Sequence, residues 1–154
     1  MSRDLDQDLS PLEDLSQILD FFRSGCKPPE SRALGTEHEK FGFYKSDHRP
    51  LRFDDIESIL QKMADKFGWE PAYDDGRIIA LVRNDEAISL EPGGQVELSG
   101  GIKTTVFGTR DELLVHMDEM TEVAPDIQFT GFGMNPFDGL EDIEDWEITF
   151  VETG

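Results

Sequence analysis

The sequence predicts an α+β fold, an antiparallel sheet with flanking helices. Two observations carry that reading. Residues 69–100 break into four short β-type runs separated by strong turn signals, the pattern of a meander. Three other segments carry apolar residues at helical spacing, each with start and stop signals. The 154 residues suit a single domain spanning 1–154, with enough material for one core.

The elements follow in order. Ser10-Pro11-Leu12-Glu13 has the form of a capping box with Pro at the first helical position. Leu12, Leu15, Ile18, Leu19 and Phe22 then form a stripe. Gly25 is a stop and Pro28-Pro29 forbids continuation, which predicts a helix over about residues 11–24. Leu34 to Tyr44 reads as a strand. Glu37, Glu39, Phe41 and Phe43 share one face, and Thr36, His38, Lys40 and Tyr44 share the other. A turn covers Asp47 to Pro50. Asp54 or Asp55 caps a second helix, with Ile56, Ile59, Leu60, Met63 and Phe67 as a core-packing stripe and Gly68 as its stop.

The meander strands are Trp69–Tyr73, Arg77–Val82, Ala87–Glu91 and Gly94–Ser99. Asp74-Asp75-Gly76, Asn84-Asp85 and Pro92-Gly93-Gly94 are the turns between them. Thr109-Arg110-Asp111-Glu112 forms a second capping box, opening a helix through about Val123 with Leu113, Met117 and Met120 inward. Ile127 to Gly133 reads as a strand. Residues 135–154 form a divergent, acidic, turn-rich tail in which Trp146–Val151 alternates weakly, as an edge strand would. No internal repeat is present.

The net charge of −20 disfavours nucleic acid and anionic membranes as partners. No apolar run reaches the roughly 18 residues of a membrane span. The start of the chain, with Asp4, Asp6 and Asp8, has neither the basic nor the apolar region of a secretory signal. The single cysteine, Cys26, cannot form an internal disulfide. Together these lead to the expectation of a cytoplasmic protein. Cys26 lies in a loop without a nearby base motif and reads as incidental.

The candidate site lies in two runs about fifty residues apart: Gly35-Thr36-Glu37-His38-Glu39-Lys40, and Ser89-Leu90-Glu91-Pro92-Gly93-Gly94-Gln95-Val96-Glu97-Leu98-Ser99-Gly100. Strand parity puts Glu37 and Glu39 on one face, and Gln95 and Glu97 on one face. Two such strands side by side make a wall of oxygen ligands suited to magnesium, which usually brings phosphates with it. An isolated Glu-X-Glu is most often a solvated strand face. Here the face continues into Phe41 and Phe43, and the second run contains a Pro-Gly-Gly turn that lets backbone approach a ligand. Only one helix separates the first run from the meander, so the two strands can be sheet neighbours. His38 falls on the opposite face and reads as a structural histidine.

These two runs resemble those of glutamate–cysteine ligase, of the type shared by plants and many bacteria. Phe67-Gly68-Trp69-Glu70-Pro71 and Ile78-Ile79-Ala80-Leu81 are similar to that family's text between the motifs. The resemblance runs from about Asp4 to about Phe132. It implies ATP-dependent ligation of the γ-carboxylate of glutamate to the amine of cysteine, as in glutathione biosynthesis. ATP would phosphorylate the glutamate side chain, and the cysteine amine would attack the acyl phosphate. The implied fold is that of carboxylate–amine ligases related to glutamine synthetase.

Carried over residue by residue, Glu37, Glu39 and Glu97 become magnesium ligands, and Gln95 a substrate-binding residue on the same strand face. No acid, base or nucleophile is assigned. The implied cofactor is Mg2+, with ATP as co-substrate. The implied partners are glutamate, cysteine and ATP, with no nucleic acid and no membrane. Family members continue for several hundred residues, so the chain corresponds to an N-terminal portion, a truncated form. The alternative is a non-catalytic, ligase-derived domain that acts by binding metal, glutamate or a partner.

Overall fold

The computed structural model describes residues 11–139 and 142. Its elements in chain order are α1 (Leu15–Ser24), a 3-10 turn (Pro29–Ser31), β1 (Glu37–Tyr44), α2 (Phe53–Phe67), β2 (Glu70–Asp74), β3 (Arg77–Arg83), β4 (Glu86–Glu91), β5 (Gln95–Ser99), α3 (Val106–Val123) and β6 (Ile127–Thr130). The fold is α+β. One six-stranded sheet runs in the order β2-β3-β4-β5-β1-β6, and every pair is antiparallel. β2 to β5 form the expected meander. β1 then pairs with β5, although a helix and three strands separate them in sequence.

One sheet face is covered by helices. Ile56, Ile59, Leu60 and Met63 of α2 and Met120 of α3 meet Leu81, Ile88, Leu90, Val96, Leu98, Ile127 and Phe129 in a single buried cluster. A register shift between Ala72 and Tyr73, where β2 pairs with β3, lets Ile78 and Leu81 both reach this core despite their odd spacing. Gly68 stops α2 in the left-handed region, at φ +72°, where a side chain is disfavoured. Fully burying a Leu, Ile or Met side chain contributes about 1.5–3 kcal/mol, so this helix-facing layer holds most of the fold's stability.

The helix starts differ from expectation. α1 begins at Leu15, capped by Asp14, whose side chain accepts from the Ser16 amide while Gln17 Oε1 accepts from the Asp14 amide at 3.1 Å. Pro11 to Glu13 precede the helix, and Ser10 lies outside the described residues. No residue of α1 is buried. α2 begins at Phe53, with Asp55 reaching back to the Arg52 amide at 3.0 Å. α3 begins a turn early, at Val106, with the Thr105 hydroxyl accepting from the Gly108 amide at 3.1 Å. Thr109 and Glu112 therefore sit inside the helix and face inward, with His116. Leu113 and Met117 pack against the core as expected. The strand expected over Ile127–Gly133 ends at Thr130. The edge strand expected at Trp146–Val151 lies outside the described residues.

Candidate functional site

The sheet face away from α2 and α3 carries the two motifs. In the β1–β5 register Glu39 stands directly opposite Glu97, and Glu37 opposite Ser99. In the β4–β5 register Ser89 stands opposite Glu97, and Glu91 opposite Gln95. By strand parity Glu37, Glu39, Glu91, Gln95 and Glu97 share this face with Ser89 and Ser99. Directly opposed side chains have Cβ atoms about 4.5–5.5 Å apart, where like charges repel. The wall therefore holds electrostatic tension that a cation would relieve.

Polar neighbours position the carboxylates. Gln95 Nε2 donates to Glu39 Oε2 at 3.0 Å and to the Phe132 carbonyl at 3.4 Å. Ser99 Oγ donates to Glu97 Oε1 at 2.5 Å. Ser89 Oγ donates to Glu91 Oε1 at 3.0 Å. Glu97 is only 8% exposed, an unusual state for a carboxylate, whereas Glu37 and Glu39 are open to solvent. Glu91, Ser89 and Ser99 were not singled out from the sequence. Their signal was present, because all three lie within the second motif at the parity of Glu97.

A buried ammonium underlies the wall. Lys40 projects from β1 to the helix side, and its Nζ donates to the carbonyls of His38 at 2.6 Å and Val96 at 3.3 Å. Burial pulls Lys40 down to about 8, and the charge of Glu97 opposes that pull. Beside it lie His38, His116 and Glu112. Glu112 accepts from the Gly101 amide at 2.8 Å and pairs with Lys103 at 2.7 Å. Burial is the main cause of the lowered pKa values of His38 and His116. His38 lies on the face expected for a structural histidine.

One end of the wall is roofed. Phe132 and Phe137 lie against Phe43, with ring centroids 6.3 and 5.3 Å away. Arg52 clasps this strap through Asp138, with Nη1–Oδ2 at 2.8 Å and Nη2–Oδ1 at 3.2 Å. The Pro92-Gly93-Gly94 turn lies at this same end, beside Gln95, which donates to the Phe132 carbonyl. Gly93 and Gly94 have φ of +83° and +85°, so the bare backbone there can approach a ligand closely. A separate groove, lined by Tyr44, Asp55, Lys62 and Asp126, lies on the helix side and not at the wall.

The donor set is all oxygen, which suits a hard cation. Among the described residues no group of three His, Cys, Asp or Glu side chains is gathered closely enough to hold a metal ion. The arrangement fits a cation bound through one or two carboxylates and otherwise through water and phosphate, the usual habit of Mg2+, and not a closed protein cage.

The fold and site define an α+β module whose one sheet face is packed on helices and whose other face carries opposed carboxylates. The chain belongs to glutamate–cysteine ligase family 2, whose model matches residues 33–149. Over 128 residues it is 41% identical to the chloroplastic glutamate–cysteine ligase of Solanum lycopersicum, covering 82% of this chain and 24% of that protein. It is 40% identical to the chloroplastic enzyme of Arabidopsis thaliana, covering 82% and 24%. It is also 40% identical to glutamate–cysteine ligase B of Oryza sativa subsp. japonica, covering 82% and 26%. The chain thus spans about a quarter of the curated relatives it matches.

These relatives are chloroplastic, which overturns the cytoplasmic location expected from the sequence. A lone cysteine excludes an internal disulfide but does not choose among reducing compartments. Among the described residues no helix is long and apolar enough to cross a membrane.

Proposed function

We propose that the chain supplies the metal- and phosphate-facing wall of an ATP-dependent ligase that joins the γ-carboxylate of glutamate to the amine of cysteine. The observation that carries this reading is the direct opposition of Glu39 and Glu97, with Glu37 and Gln95 on the same uncovered face. Family membership and about 40% identity to named ligases support it. In this reading Glu37, Glu39 and Glu97 are the Mg2+ ligands, each ion held through one or two of these carboxylates and otherwise through water and phosphate, and Gln95 orients a ligand oxygen or the Glu39 carboxylate. When bound, Mg2+ would supply the positive charge needed between carboxylates and phosphate oxygens. Ser99 fixes the rotamer of Glu97, and Lys40 offsets part of the wall's charge from below.

The whole fold in this reading is that of glutamine-synthetase-like carboxylate–amine ligases. The chain is one domain of it over 1–154, ending in a divergent acidic tail over 135–154. Phosphoryl transfer depends on positioned charge from several elements, so a quarter of the enzyme turns over slowly or not at all. One second reading is a ligase-derived domain that binds metal, glutamate or a partner without catalysis.

Thermal melts with millimolar MgCl2, matched in ionic strength with NaCl, test the wall. A metal that binds only the folded form raises its apparent stability. Magnesium should therefore raise the Tm of the wild type. Glu39→Gln removes one of the opposed charges, so its metal-free form should be at least as stable, with a smaller magnesium response. An identical magnesium shift in both proteins would sink the reading. A γ-glutamylcysteine assay with ATP, Mg2+, glutamate and cysteine separates the catalytic reading from the binding one.

A further inference from the structure

We propose that the Glu112–Lys103 pair is a positioning device for the carboxylate wall: it ties the approach to β1 to the exit of β5 and so sets where Glu37 stands. The proposal rests on the ligase reading above, in which Glu37 is a magnesium ligand.

The wall is held differently at its two ends. Toward Gln95 it is roofed by the Phe132 strap. At the other end β1 begins at Glu37, directly opposite Ser99, the last residue of β5. Strand ends fray, and Glu37 is open to solvent, so strand pairing alone does not fix its carboxylate. Past Ser99 the chain leaves the sheet, yet four consecutive amides all find acceptors. Gly100 donates to the Thr36 carbonyl at 2.8 Å, and Lys103 to the Leu34 carbonyl at 2.8 Å. The Leu34 amide returns a bond to the Lys103 carbonyl at 2.7 Å. Between them, Gly101 donates to Glu112 Oε1 at 2.8 Å and Ile102 to Asp85 Oδ2 at 3.0 Å. The backbone bonds lace this segment to the approach to β1. The two carboxylates fix it to α3 and to the turn between β3 and β4.

Glu112 is the centre of this lacing. Its Oε1 also pairs with Lys103 Nζ at 2.7 Å, and its side chain is 4% exposed. Lys103 Nζ reaches Glu86 Oε1 at 3.6 Å as well. Gly100 passes so close that a Cβ there would collide with Glu112 Oε2 and lie 3.1 Å from the Thr36 carbonyl oxygen. A buried ion pair contributes little net stability, because desolvation offsets the attraction. What this pair does fix is geometry. One carboxylate oxygen receives both the Gly101 amide and the Lys103 ammonium, and so sets the path of the chain between them. The bond to Glu112 also raises the pKa of Lys103, which keeps the ammonium charged.

The test is a calorimetric titration of the 154-residue chain with MgCl2, matched in ionic strength with NaCl and run well below each Tm, with hydrogen exchange in parallel. Glu112→Gln and Lys103→Met both break the pair, but they change the net charge in opposite directions. A general electrostatic effect would weaken magnesium binding in the first and strengthen it in the second. Loss of positioning weakens it in both. The expected loss is about three- to tenfold, less than the roughly 10–100-fold typical of a residue bonded directly to a metal ligand. The double variant keeps the wild-type net charge and should be no weaker than the weaker single, because the two residues act as a unit. Lys66→Met breaks the exposed Lys66–Glu122 pair and should leave the affinity within about twofold. In both single variants amide exchange should accelerate over residues 34–37 and 99–103 and stay unchanged in β2 and β3.

Affinities that move in opposite directions, or stay at the wild-type value, overturn the proposal. So does unchanged exchange at residues 34–37. If Glu112→Gln does not fold, Lys103→Met decides alone, since its charge change by itself would strengthen binding. No magnesium binding by the wild type sinks the ligase reading and this role with it, whereas wild-type binding that the variants keep sinks this role alone.

Discussion

Gly42 shows how closely single residues constrain this sheet. It sits on the helix-facing side of β1, where an added Cβ would lie 2.4 Å from Leu51 Cδ1 and 3.1 Å from Phe129 Cε1. Leu51 and Phe129 are 5% and 7% exposed and have little room to yield. Gly42→Ala should cost about 1–3 kcal/mol in urea unfolding, as overpacking does. Unchanged stability would mean that Leu51 repacks freely. His116 is a second sensitive position. Burial, with the charges of Lys40, His38 and Arg83, holds it down to about 3. The folded state keeps it neutral while the unfolded state takes a proton near the ordinary value of about 6.5. Its contribution is present above the unfolded value and is lost as pH falls from there toward 3. The wild type should therefore lose stability more steeply than His116→Gln between about pH 6 and 4, by up to about 1.4 kcal/mol per pH unit. Parallel pH profiles would show that His116 is protonated in the fold.

Among the elements, strands and helix stops were legible because they depend on local chemistry. Asp-Gly and Pro-Gly-Gly turns divide the meander, and Gly68 ends α2 where the chain requires a positive φ. Strand parity paired Glu37 with Glu39 and Gln95 with Glu97, and the β1–β5 register then sets both pairs on one face. Helix starts were less legible, since several Ser, Thr and Asp residues compete for each cap. The inward turn of Thr109, Glu112 and His116 was hidden because polar residues normally mark the outside of a helix. The strap after β6 also escaped, because its anchors are distant in sequence: Arg52 grips Asp138, and Phe43 meets Phe137. Arg52→Ala should leave the Asp138 carboxylate, which is 11% exposed, with the Asn135 amide as a weaker partner. We expect a loss of about 1–3 kcal/mol. Amide exchange should accelerate across residues 131–139 and stay unchanged in β3 and β4. Uniform acceleration throughout would show that the clasp supports the whole fold and not the strap.

At the scale of the whole molecule, the excess of acid sets the response to salt. Added salt weakens ion pairs such as Arg77–Glu57 and Lys66–Glu122, and it also screens the repulsion among the surplus carboxylates. Exposed pairs are worth about 0–1 kcal/mol each, and several here lie on flexible side chains. The uncompensated charge of −20 acts on the folded chain as a whole. At about 1 M salt the screening length falls to roughly 3 Å, so nearly all of that repulsion is removed. Repulsion should therefore dominate, and Tm should rise steadily with NaCl between about 0.05 and 1 M. Glu39→Gln should rise almost in parallel, because it changes one charge among many. The wall differs in kind from this background. Its opposed carboxylates sit on directly paired strand positions, and a divalent ion bound between them acts locally, so magnesium should still raise the wild-type Tm in high NaCl. If high NaCl abolishes the magnesium response, then the ion is serving only as a counter-charge for the acidic surface.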